Sequence, residues 1–243
     1  MSDITYQCDL IVIGSGPAGQ KAAIQGIKSG KKVVVIEQEG KVGGACVHRG
    51  TIPSKTLRET AASFIGFRRR TGDVFKFELN EETQISTLMK RLEQVIKAHE
   101  HYMGHQLERN GIDLWHGRAK FIDDHTVEVL KIDRSRHRVQ GKTILIAVGS
   151  QPRNPDNINV DHEHILDSDS ILSMIYLPKS LTVLGAGVIA CEYATIFASL
   201  GVKVTIIDKT DRPLSFLDPE ITDRFVKSFE EMGSRFIPKG SLK

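Results

Sequence analysis

The feature that most constrains the fold is a sequence unit that occurs twice. The first copy reads "CDLIVIGSGPAGQKAAIQGIKSGKKVVVIE", with an apolar run, three glycines, a helical pattern and a second apolar run that ends in an acid. The second copy reads "LTVLGAGVIACEYATIFASLGVKVTIID". Adding 171 to positions 14, 16, 19 and 37 gives 185, 187, 190 and 208, so both copies share one internal spacing. Each copy therefore predicts a strand, a tight turn, a helix and a second parallel strand.

The glycines of the first copy are spaced as a dinucleotide-binding turn requires. Gly14 permits the tight turn, Gly16 lets the backbone approach a pyrophosphate, and Gly19 lets the helix pack closely on the strand. The start of the helix supplies unpaired N–H groups for phosphates. Glu37 can accept hydrogen bonds from a ribose. The unit is predicted to bind a dinucleotide; the alternative is a glycine-rich turn in a Rossmann-like domain that binds nothing.

The second copy carries the same elements with one change. Gly185 and Gly187 repeat the first two glycines, Ala190 stands at the third place, and Asp208 ends the second strand. Alanine is tolerated at the third place because that site needs only a small side chain. Two dinucleotides are therefore predicted to bind, one to each copy.

The residues after the second copy leave the choice of nicotinamide cofactor open. Asp208 favours the free 2′-hydroxyl of NAD and would repel the 2′-phosphate of NADP. Lys209 and Arg212 could offset this repulsion by facing the phosphate. Alternatively, these two residues form only a charged loop.

The sequence predicts an α/β fold with two tandem Rossmann-like nucleotide-binding domains. Residues 1–150 form the predicted first domain and residues 151–243 the second, with a Pro-rich break near 150–178. Inside the first domain, residues 80–110 show helical spacing and residues 112–148 resemble short strands. The chain stops soon after the second unit, so the second sheet is expected to be incomplete.

Composition excludes several classes of partner. A net charge of +3 gives no case for a nucleic acid or an anionic membrane, and no apolar run approaches the roughly 18 residues of a membrane helix. The N-terminus has no basic region before an apolar run, so no secretory signal is expected. Three widely spaced cysteines (Cys8, Cys46 and Cys191) fit a reducing cytoplasm better than a disulfide framework. No histidine or cysteine cluster has the spacing of a metal site.

Four ordered motifs carry a family resemblance: "DLIVIGSGPAG", "GGACVHRGTIPSK", "ILIAVGSQP" and "GAGVIACEYA". With them the chain resembles the flavoprotein pyridine-nucleotide disulfide oxidoreductases over nearly its whole length. The resemblance implies that the first unit holds FAD and the second holds NAD or NADP. It adds Gly43, Gly44 and Gly149 to the flavin site, and it places Lys55 beside the flavin with Glu192 as its partner.

One departure from the family pattern concerns electron transfer. In the family, the positions of Cys46 and Thr51 are both occupied by cysteine, and the second cysteine lies against the flavin. Without that second sulfur the route from flavin to disulfides is missing, so both the hydride donor and the acceptor are expected to be nicotinamides. In this respect the chain is similar to the flavin-dependent transhydrogenases, whose motif also reads "C----GTIPSK". Cys46 itself has no role that the sequence indicates.

Two other functions remain open. One is a disulfide reductase that pairs Cys46 with a cysteine from elsewhere, and the other is a non-catalytic nucleotide-binding fragment. The resemblance also implies further chain, namely a return to the flavin domain and a dimerisation domain, which this sequence lacks. A homo-oligomer is expected of the full-length form.

Overall fold

A computed structural model describes residues 4–71 and 81–240. The contacts divide the chain into two compact units, one within residues 1–53 and 94–153 and the other within residues 54–93 and 154–243. Residues 54–93 thus group with the second unit, whereas the sequence predicts them in the first domain. The described part of this segment is helical, so no strand ladder joins it to the first sheet.

The first unit is built on five strands: β1 (Tyr6–Ile13), β2 (Val33–Glu37), β3 (Asp113–Phe121), β4 (Thr126–Lys131) and β5 (Arg136–Ile146). Strand β1 pairs in parallel with both β2 and β5, and β2 pairs in parallel with β3. Antiparallel pairs β3–β4 and β4–β5 close the ring of strands. Every residue of β2 is buried, which matches its uninterrupted apolar sequence.

Two helices of the first unit follow glycine turns. Helix α1 (Pro17–Lys28) begins directly after Gly16 and has a proline at its start, where the missing N–H costs nothing. The short helix α2 (Gly44–His48) follows Gly43. Ala23 of α1 packs against β1 and β2 in a core cluster that also includes Val12, Val33, Val35, Val42, Val47, Met103, Leu107 and Ile112.

Two long helices precede the antiparallel strands. Helix α3 (Thr51–Thr71) starts within the motif that contains Cys46, and α4 (Glu81–Arg109) lies where the sequence predicts a helix over 80–110. Residue 80 lies outside the described residues. Strands β3 to β5 lie within the stretch 112–148 that is predicted to contain short strands.

The second unit contains a parallel three-stranded sheet in the order β6 (Ser180–Leu184), β7 (Lys203–Ile207) and β8 (Arg235–Ile237). Helix α5 (Val188–Ser199) joins β6 to β7, and six of its residues are buried because nearly all of its sequence is apolar. Helix α6 (Pro219–Glu231) is capped by Asp218, whose side chain accepts a hydrogen bond from the Glu220 N–H. These elements confirm the predicted α/β class.

Candidate dinucleotide sites

The first glycine turn fits its surroundings only without side chains. Gly14 has φ +104°, and a Cβ there would lie 2.3 Å from the Ala147 carbonyl oxygen at the end of β5. A Cβ at Gly19 would lie 1.9 Å from the Gly14 carbonyl oxygen. Gly14 also donates its N–H to the Ile36 carbonyl at 2.8 Å, which ties the turn to β2. Gly14 is therefore required for the close approach of the residues after β5, and Gly19 for the close approach of α1 to the turn.

Gly16 differs because the protein itself leaves room beside it. A Cβ at this residue would come no nearer than 3.9 Å to any atom, the Cα of Gly44. Gly16 is the N-cap of α1 and provides no side chain to cap the first N–H groups. The space beside Gly16 lies at the start of a 12-residue helix whose first N–H groups have no side-chain cap. A pyrophosphate would fit there and would accept hydrogen bonds from these N–H groups.

Glu37 has a structural role that the sequence did not indicate. Glu37 is buried, with only 6% of its surface exposed. Oxygen Oε2 accepts the Ser15 N–H at 2.9 Å and the Ser15 hydroxyl at 2.5 Å, and Oε1 accepts the Glu39 N–H at 2.9 Å. The acid thus holds the glycine turn and the residues after β2, and it keeps acceptor capacity for a further hydrogen bond.

A second glycine pair lies against this turn. The Gly43 N–H donates to the Ser15 carbonyl at 3.2 Å, and a Cβ at Gly44 would lie 3.0 Å from the Cα of Gly16. The end of β5 approaches from another side, where the Ala147 N–H donates to the Ile13 carbonyl at 2.8 Å. Gly149 follows two residues later and is exposed. Among the sequence-predicted residues, Gly14, Gly16, Gly19, Glu37, Gly43 and Gly44 are therefore linked around one turn, directly or through Ser15.

The second unit repeats the backbone N–H hydrogen bonds around the turn and acid of the first, each displaced by 171 positions. The Gly185 N–H donates to the Ile207 carbonyl at 2.8 Å, and the Ala186 N–H donates to Asp208 Oδ2 at 2.7 Å. Thr210 donates its N–H to Asp208 Oδ1 at 2.7 Å. Gly187 is the N-cap of α5, as Gly16 is of α1. The repeated spacing thus reflects a repeated site. The glycine motif did not indicate Ser15, which matches Ala186, or Thr210, which matches Glu39.

Asp208 is held by hydrogen bonds, whereas the two basic residues near it, Lys209 and Arg212, are not bound to it. Burial raises the pKa of the Asp208 carboxyl, but hydrogen bonds from Thr210 and Ala186 and the charge of Lys209 outweigh this effect, so the pKa lies below its usual range. Lys209 is exposed. Arg212 donates through Nη2 to the Ser215 carbonyl at 3.0 Å, while its buried Nη1 has no hydrogen-bond partner among the described residues. Arg212 therefore has an unused donor, whereas Asp208 is held by its neighbours.

The predicted catalytic residues lie on three helices. Cys46 is half-buried in α2, and Thr51 and Lys55 are exposed on α3. Glu192 of α5 lines a cleft of about 900 Å³ in the second unit. The predicted ion pair between Lys55 and Glu192 is not formed between these two described side chains in the structure. The cleft is lined by Arg58, Ala61, Ala62, Ile65, Gly66, Val188, Cys191, Glu192, Thr195, Ile196, Ser199, Leu214, Phe216, Leu217 and Phe225.

The described residues contain neither a metal-binding cluster nor a membrane-spanning helix. Within residues 4–71 and 81–240, no three His, Cys, Asp or Glu side chains come together as a group that could hold a metal ion. Over the same residues, no helix has both the length and the apolar character needed to cross a membrane.

Comparison with protein families identifies the group to which these paired turns belong. The family model described as pyridine nucleotide-disulphide oxidoreductase matches residues 8–243. The chain belongs to the pyridine nucleotide-disulphide oxidoreductases. The FAD- and NAD-binding α/β fold of that family is therefore the fold of this chain.

Curated oxidoreductases of this kind resemble the chain over most of its length. A soluble pyridine nucleotide transhydrogenase from Mycobacterium bovis is 44% identical over 216 residues, which cover 88% of this chain and 46% of that protein. Another from Hahella chejuensis is 44% identical over 220 residues, covering 90% of this chain and 47% of that protein. The chain thus spans about half the length of the curated relatives it matches.

Two solved structures share the fold of this chain over most of its length. The Cu(II) complex of the HOCl-induced flavoprotein disulfide reductase RclA from Escherichia coli aligns with a TM-score of 0.84 and 27% identity, covering 98% of this chain and 51% of that one. LpdA from Mycobacterium tuberculosis also aligns with a TM-score of 0.84 and 27% identity, covering 95% of this chain and 51% of that one.

The three thiols of this pyridine nucleotide-disulphide oxidoreductase are all free, and they differ in environment. Burial raises the pKa of Cys8 to about 11, and burial together with the Asp208 charge raises the pKa of Cys191 to about 11. At about pH 8 a thiol with such a pKa is only about 0.1% thiolate, so it reacts slowly. We expect iodoacetamide to label Cys46 first.

Peptide mapping by mass spectrometry checks this prediction. In Cys46→Ser protein, labelling of the native fold under the same conditions should fall several-fold, whereas Cys8→Ser protein should label like the wild type. Equal labelling of all three thiols in the folded protein would contradict the expectation, and labelling after denaturation gives the total thiol count.

Proposed function

We propose that the protein is an FAD-dependent oxidoreductase that transfers a hydride between NADPH and NAD⁺, or between NADH and NADP⁺. NADPH and NAD⁺ become NADP⁺ and NADH, so two electrons and one hydrogen nucleus pass from one nicotinamide to the other. FAD, when bound, supplies a group that takes up a hydride and gives it back. The curated relatives named as soluble pyridine nucleotide transhydrogenases support this choice within the family.

The observation that carries the proposal is the pairing of two matched dinucleotide turns with three free thiols. Both turns have the same backbone N–H hydrogen bonds to an acid, Glu37 or Asp208. Cys46 is a free thiol, and the place five residues later is Thr51. A chain with two nucleotide sites and no dithiol in this motif favours hydride exchange between nucleotides over electron transfer to a disulfide.

The residues of the first unit would hold FAD. Gly14 and Gly19 allow the tight turn, Gly16 and the N-terminus of α1 would receive the pyrophosphate, and Glu37 would accept a ribose hydroxyl. Gly43 and Gly44, which lie against this turn, and Gly149, which follows β5, complete the proposed set.

The residues of the second unit would hold the nicotinamide dinucleotide. Gly185, Gly187 and Ala190 form the turn and the start of α5, and Asp208 would accept a ribose hydroxyl. Lys209 and Arg212 are proposed to face the 2′-phosphate when NADP is bound. The unused Nη1 of Arg212 supports this proposal, because a phosphate oxygen would satisfy a buried donor that otherwise lacks a partner.

Lys55 and Glu192 are proposed to act at the reacting end of the nucleotides. Lys55 would supply positive charge beside the flavin, which favours the arrival of a hydride. Glu192 would hold Lys55 once they meet, although they form no ion pair in the structure described above. Thr51 would leave the flavin without a neighbouring sulfur, and Cys46 remains in the motif without an assigned step.

We further propose the tandem arrangement of an FAD domain over residues 1–150 and a nicotinamide domain over residues 151–243. The matched turns support this division, because each begins a complete strand–helix–strand unit. A homo-oligomer in the full-length form and a cytoplasmic location belong to the same proposal; three free thiols suit a reducing compartment.

A hydride-exchange assay tests the function. Purified protein supplied with FAD is mixed with NADPH and the thio-analogue of NAD⁺, and reduction of the analogue is followed by its own absorbance. We expect turnover that requires FAD and no reduction of lipoamide or glutathione disulfide. Efficient disulfide reduction would overturn the proposal, and purified protein that takes up no flavin would support a non-catalytic nucleotide-binding role instead.

A disulfide reductase remains a second candidate because a solved structure that aligns well is a flavoprotein disulfide reductase. That function would need Cys46 together with a cysteine from further chain of the full-length form or from another protein. Cys46→Ser distinguishes the two functions: hydride exchange between nucleotides should persist in this variant, whereas loss of turnover with flavin binding intact would favour the reductase.

A further inference from the structure

The acid of the first unit receives three hydrogen bonds that fall unequally on its two oxygens. Ser15 donates both its N–H, at 2.9 Å, and its hydroxyl, at 2.5 Å, to Oε2 of Glu37. Oε1 accepts only the Glu39 N–H, at 2.9 Å. The oxygen that faces the glycine turn is therefore filled, and the oxygen that faces the loop after β2 keeps an open acceptor position.

The acid of the second unit also receives three hydrogen bonds, but in the opposite arrangement. Ala186 stands in the place of Ser15 and donates only its N–H to Asp208 Oδ2, at 2.7 Å. Thr210 stands in the place of Glu39 and donates both its N–H, at 2.7 Å, and its hydroxyl, at 2.5 Å, to Oδ1. Here the loop-facing oxygen is filled, and the turn-facing oxygen keeps the open position.

The Thr210 hydroxyl has one proton and two neighbouring acceptors. The Arg212 carbonyl lies 2.9 Å from this hydroxyl, farther than the Asp208 oxygen at 2.5 Å. A carboxylate is also the stronger acceptor, so the proton goes to Asp208. The Ser15 hydroxyl has no such choice, because it donates to Glu37 and accepts the Gly43 N–H at 3.3 Å.

We propose that the placement of one hydroxyl, on Ser15 in the first unit and on Thr210 in the second, determines which carboxylate oxygen accepts a ribose hydroxyl. The loop-facing oxygen of Glu37 and the turn-facing oxygen of Asp208 are the acceptors. Ser15 and Thr210 are thus positioning residues that act through the acids and make two otherwise matched sites different. The inference rests on the proposed function only in assigning FAD to the first unit and a nicotinamide dinucleotide to the second.

The hydroxyls are not needed to shape the turns. In the first unit the Gly43 N–H also donates to the Ser15 carbonyl, at 3.2 Å. In the second unit the matching bond runs from the Leu214 N–H to the Ala186 carbonyl at 2.9 Å, with alanine at the turn. Backbone hydrogen bonds thus close each turn, so the hydroxyls can determine which carboxylate oxygen keeps an open acceptor position.

The test adds a hydroxyl where each site lacks one and keeps the backbone hydrogen bonds to both acids. Glu39→Thr should fill the open oxygen of Glu37, and Ala186→Ser should fill the open oxygen of Asp208. Glu39→Thr also removes an exposed ion pair with Arg49 at 3.6 Å, a loss that Glu39→Gln shares. We expect Glu39→Thr to weaken FAD binding roughly 10-fold, and Ala186→Ser to weaken NADH binding to the same extent, as for one lost hydrogen bond to a charged group. Binding constants are measured by fluorescence titration of deflavinated protein with FAD, and of the holoprotein with NADH.

Glu39→Gln is the matched control, because it changes the same residue without placing a hydroxyl beside Glu37. Each hydroxyl variant also serves as a control for the other unit, since its second nucleotide should bind as in the wild type. The Tm of the apoprotein should stay within a few degrees of the wild-type value in all three variants, as for changes that leave packing intact.

The outcomes separate this inference from the proposed function. Wild-type affinity for FAD in Glu39→Thr protein, or an equal loss in Glu39→Gln protein, would overturn the inference. The expected pattern of binding constants in a protein that exchanges no hydride would support the inference and overturn the proposed function.

Discussion

Gly19→Ala protein is expected to purify without flavin and to lose about 1–3 kcal/mol of unfolding free energy, the usual cost of overpacking. The added Cβ would lie 1.9 Å from the Gly14 carbonyl oxygen and 3.1 Å from Cγ1 of Val12. Because the nearest atom belongs to the backbone, no side-chain rotation can relieve the clash. Helix α1 must move away from β1, which displaces the N–H groups that the pyrophosphate would use.

Two alanine variants make this result specific. Gly40→Ala adds a Cβ that meets nothing within 4 Å, so it should keep both flavin and stability. Gly16→Ala adds a Cβ no closer than 3.9 Å to its nearest neighbour. Its apoprotein should therefore unfold near the wild-type denaturant midpoint, while flavin binding weakens. The measurements are the flavin absorbance of purified protein and the denaturant midpoint. Gly19→Ala protein with full flavin content would contradict the geometry described for α1.

Replacing either acid by its amide is expected to weaken nucleotide binding strongly at one site and to leave the other unchanged. Glu37 is surrounded by donors alone, from Ser15 and Glu39, and Asp208 by donors from Ala186 and Thr210. An amide has one acceptor oxygen, so its NH₂ group must face an N–H or a hydroxyl donor. We expect Glu37→Gln to lose FAD binding by more than about 10-fold and Asp208→Asn to lose NADH binding similarly.

Asp208→Asn should also change the dependence of stability on pH. The folded-state pKa of Asp208 lies below its usual range, because its hydrogen bonds and the Lys209 charge outweigh the burial that raises it. The ionised carboxylate therefore stabilises the fold at any pH above the unfolded-state pKa, and this contribution is lost as pH falls through the folded-state value. Denaturant titrations across the acid range should show a shallower loss of stability in Asp208→Asn protein.

Exposed carboxylates provide the controls for both amide variants. Glu39→Gln keeps the Glu39 N–H that Glu37 accepts, and it alters only a surface side chain that lies 3.6 Å from Arg49. Asp211→Asn changes an exposed acid near Asp208. Both controls should bind FAD and NADH as the wild type does. An amide variant that weakened the two nucleotides equally would show that the acids act through general stability and not at separate sites.

The elements most readily predicted were those defined by local sequence. The glycine spacing and apolar runs predicted α1 and α5 with their flanking strands, because tight turns and buried parallel strands restrict residue type strongly. The close approach of α1 to the turn at Gly14 and Gly19 follows from the same restrictions.

The features that could not be predicted depend on tertiary contacts between residues that are distant in the sequence. Ser15 is a permissive position in the turn motif, so only the structure shows that its hydroxyl lies on Glu37. The predicted pairing of Lys55 with Glu192 joins helices far apart in the chain, and their distance depends on packing that no local pattern encodes. Residues 54–93 group with the second unit for the same reason, since helices lack the ladder bonds that fix a strand in its sheet.

The third small-residue position of each turn, Gly19 in the first unit and Ala190 in the second, tolerates different residues. Alanine fits at Ala190, whereas a Cβ at the matching Gly19 would strike the backbone at 1.9 Å. Exchange between the two units is therefore possible in one direction only: the second can accept glycine, but the first cannot accept alanine. If both units descend from one duplicated segment that already packed as the first does, that ancestor carried glycine at this place, and the alanine arose in the second unit after the duplication.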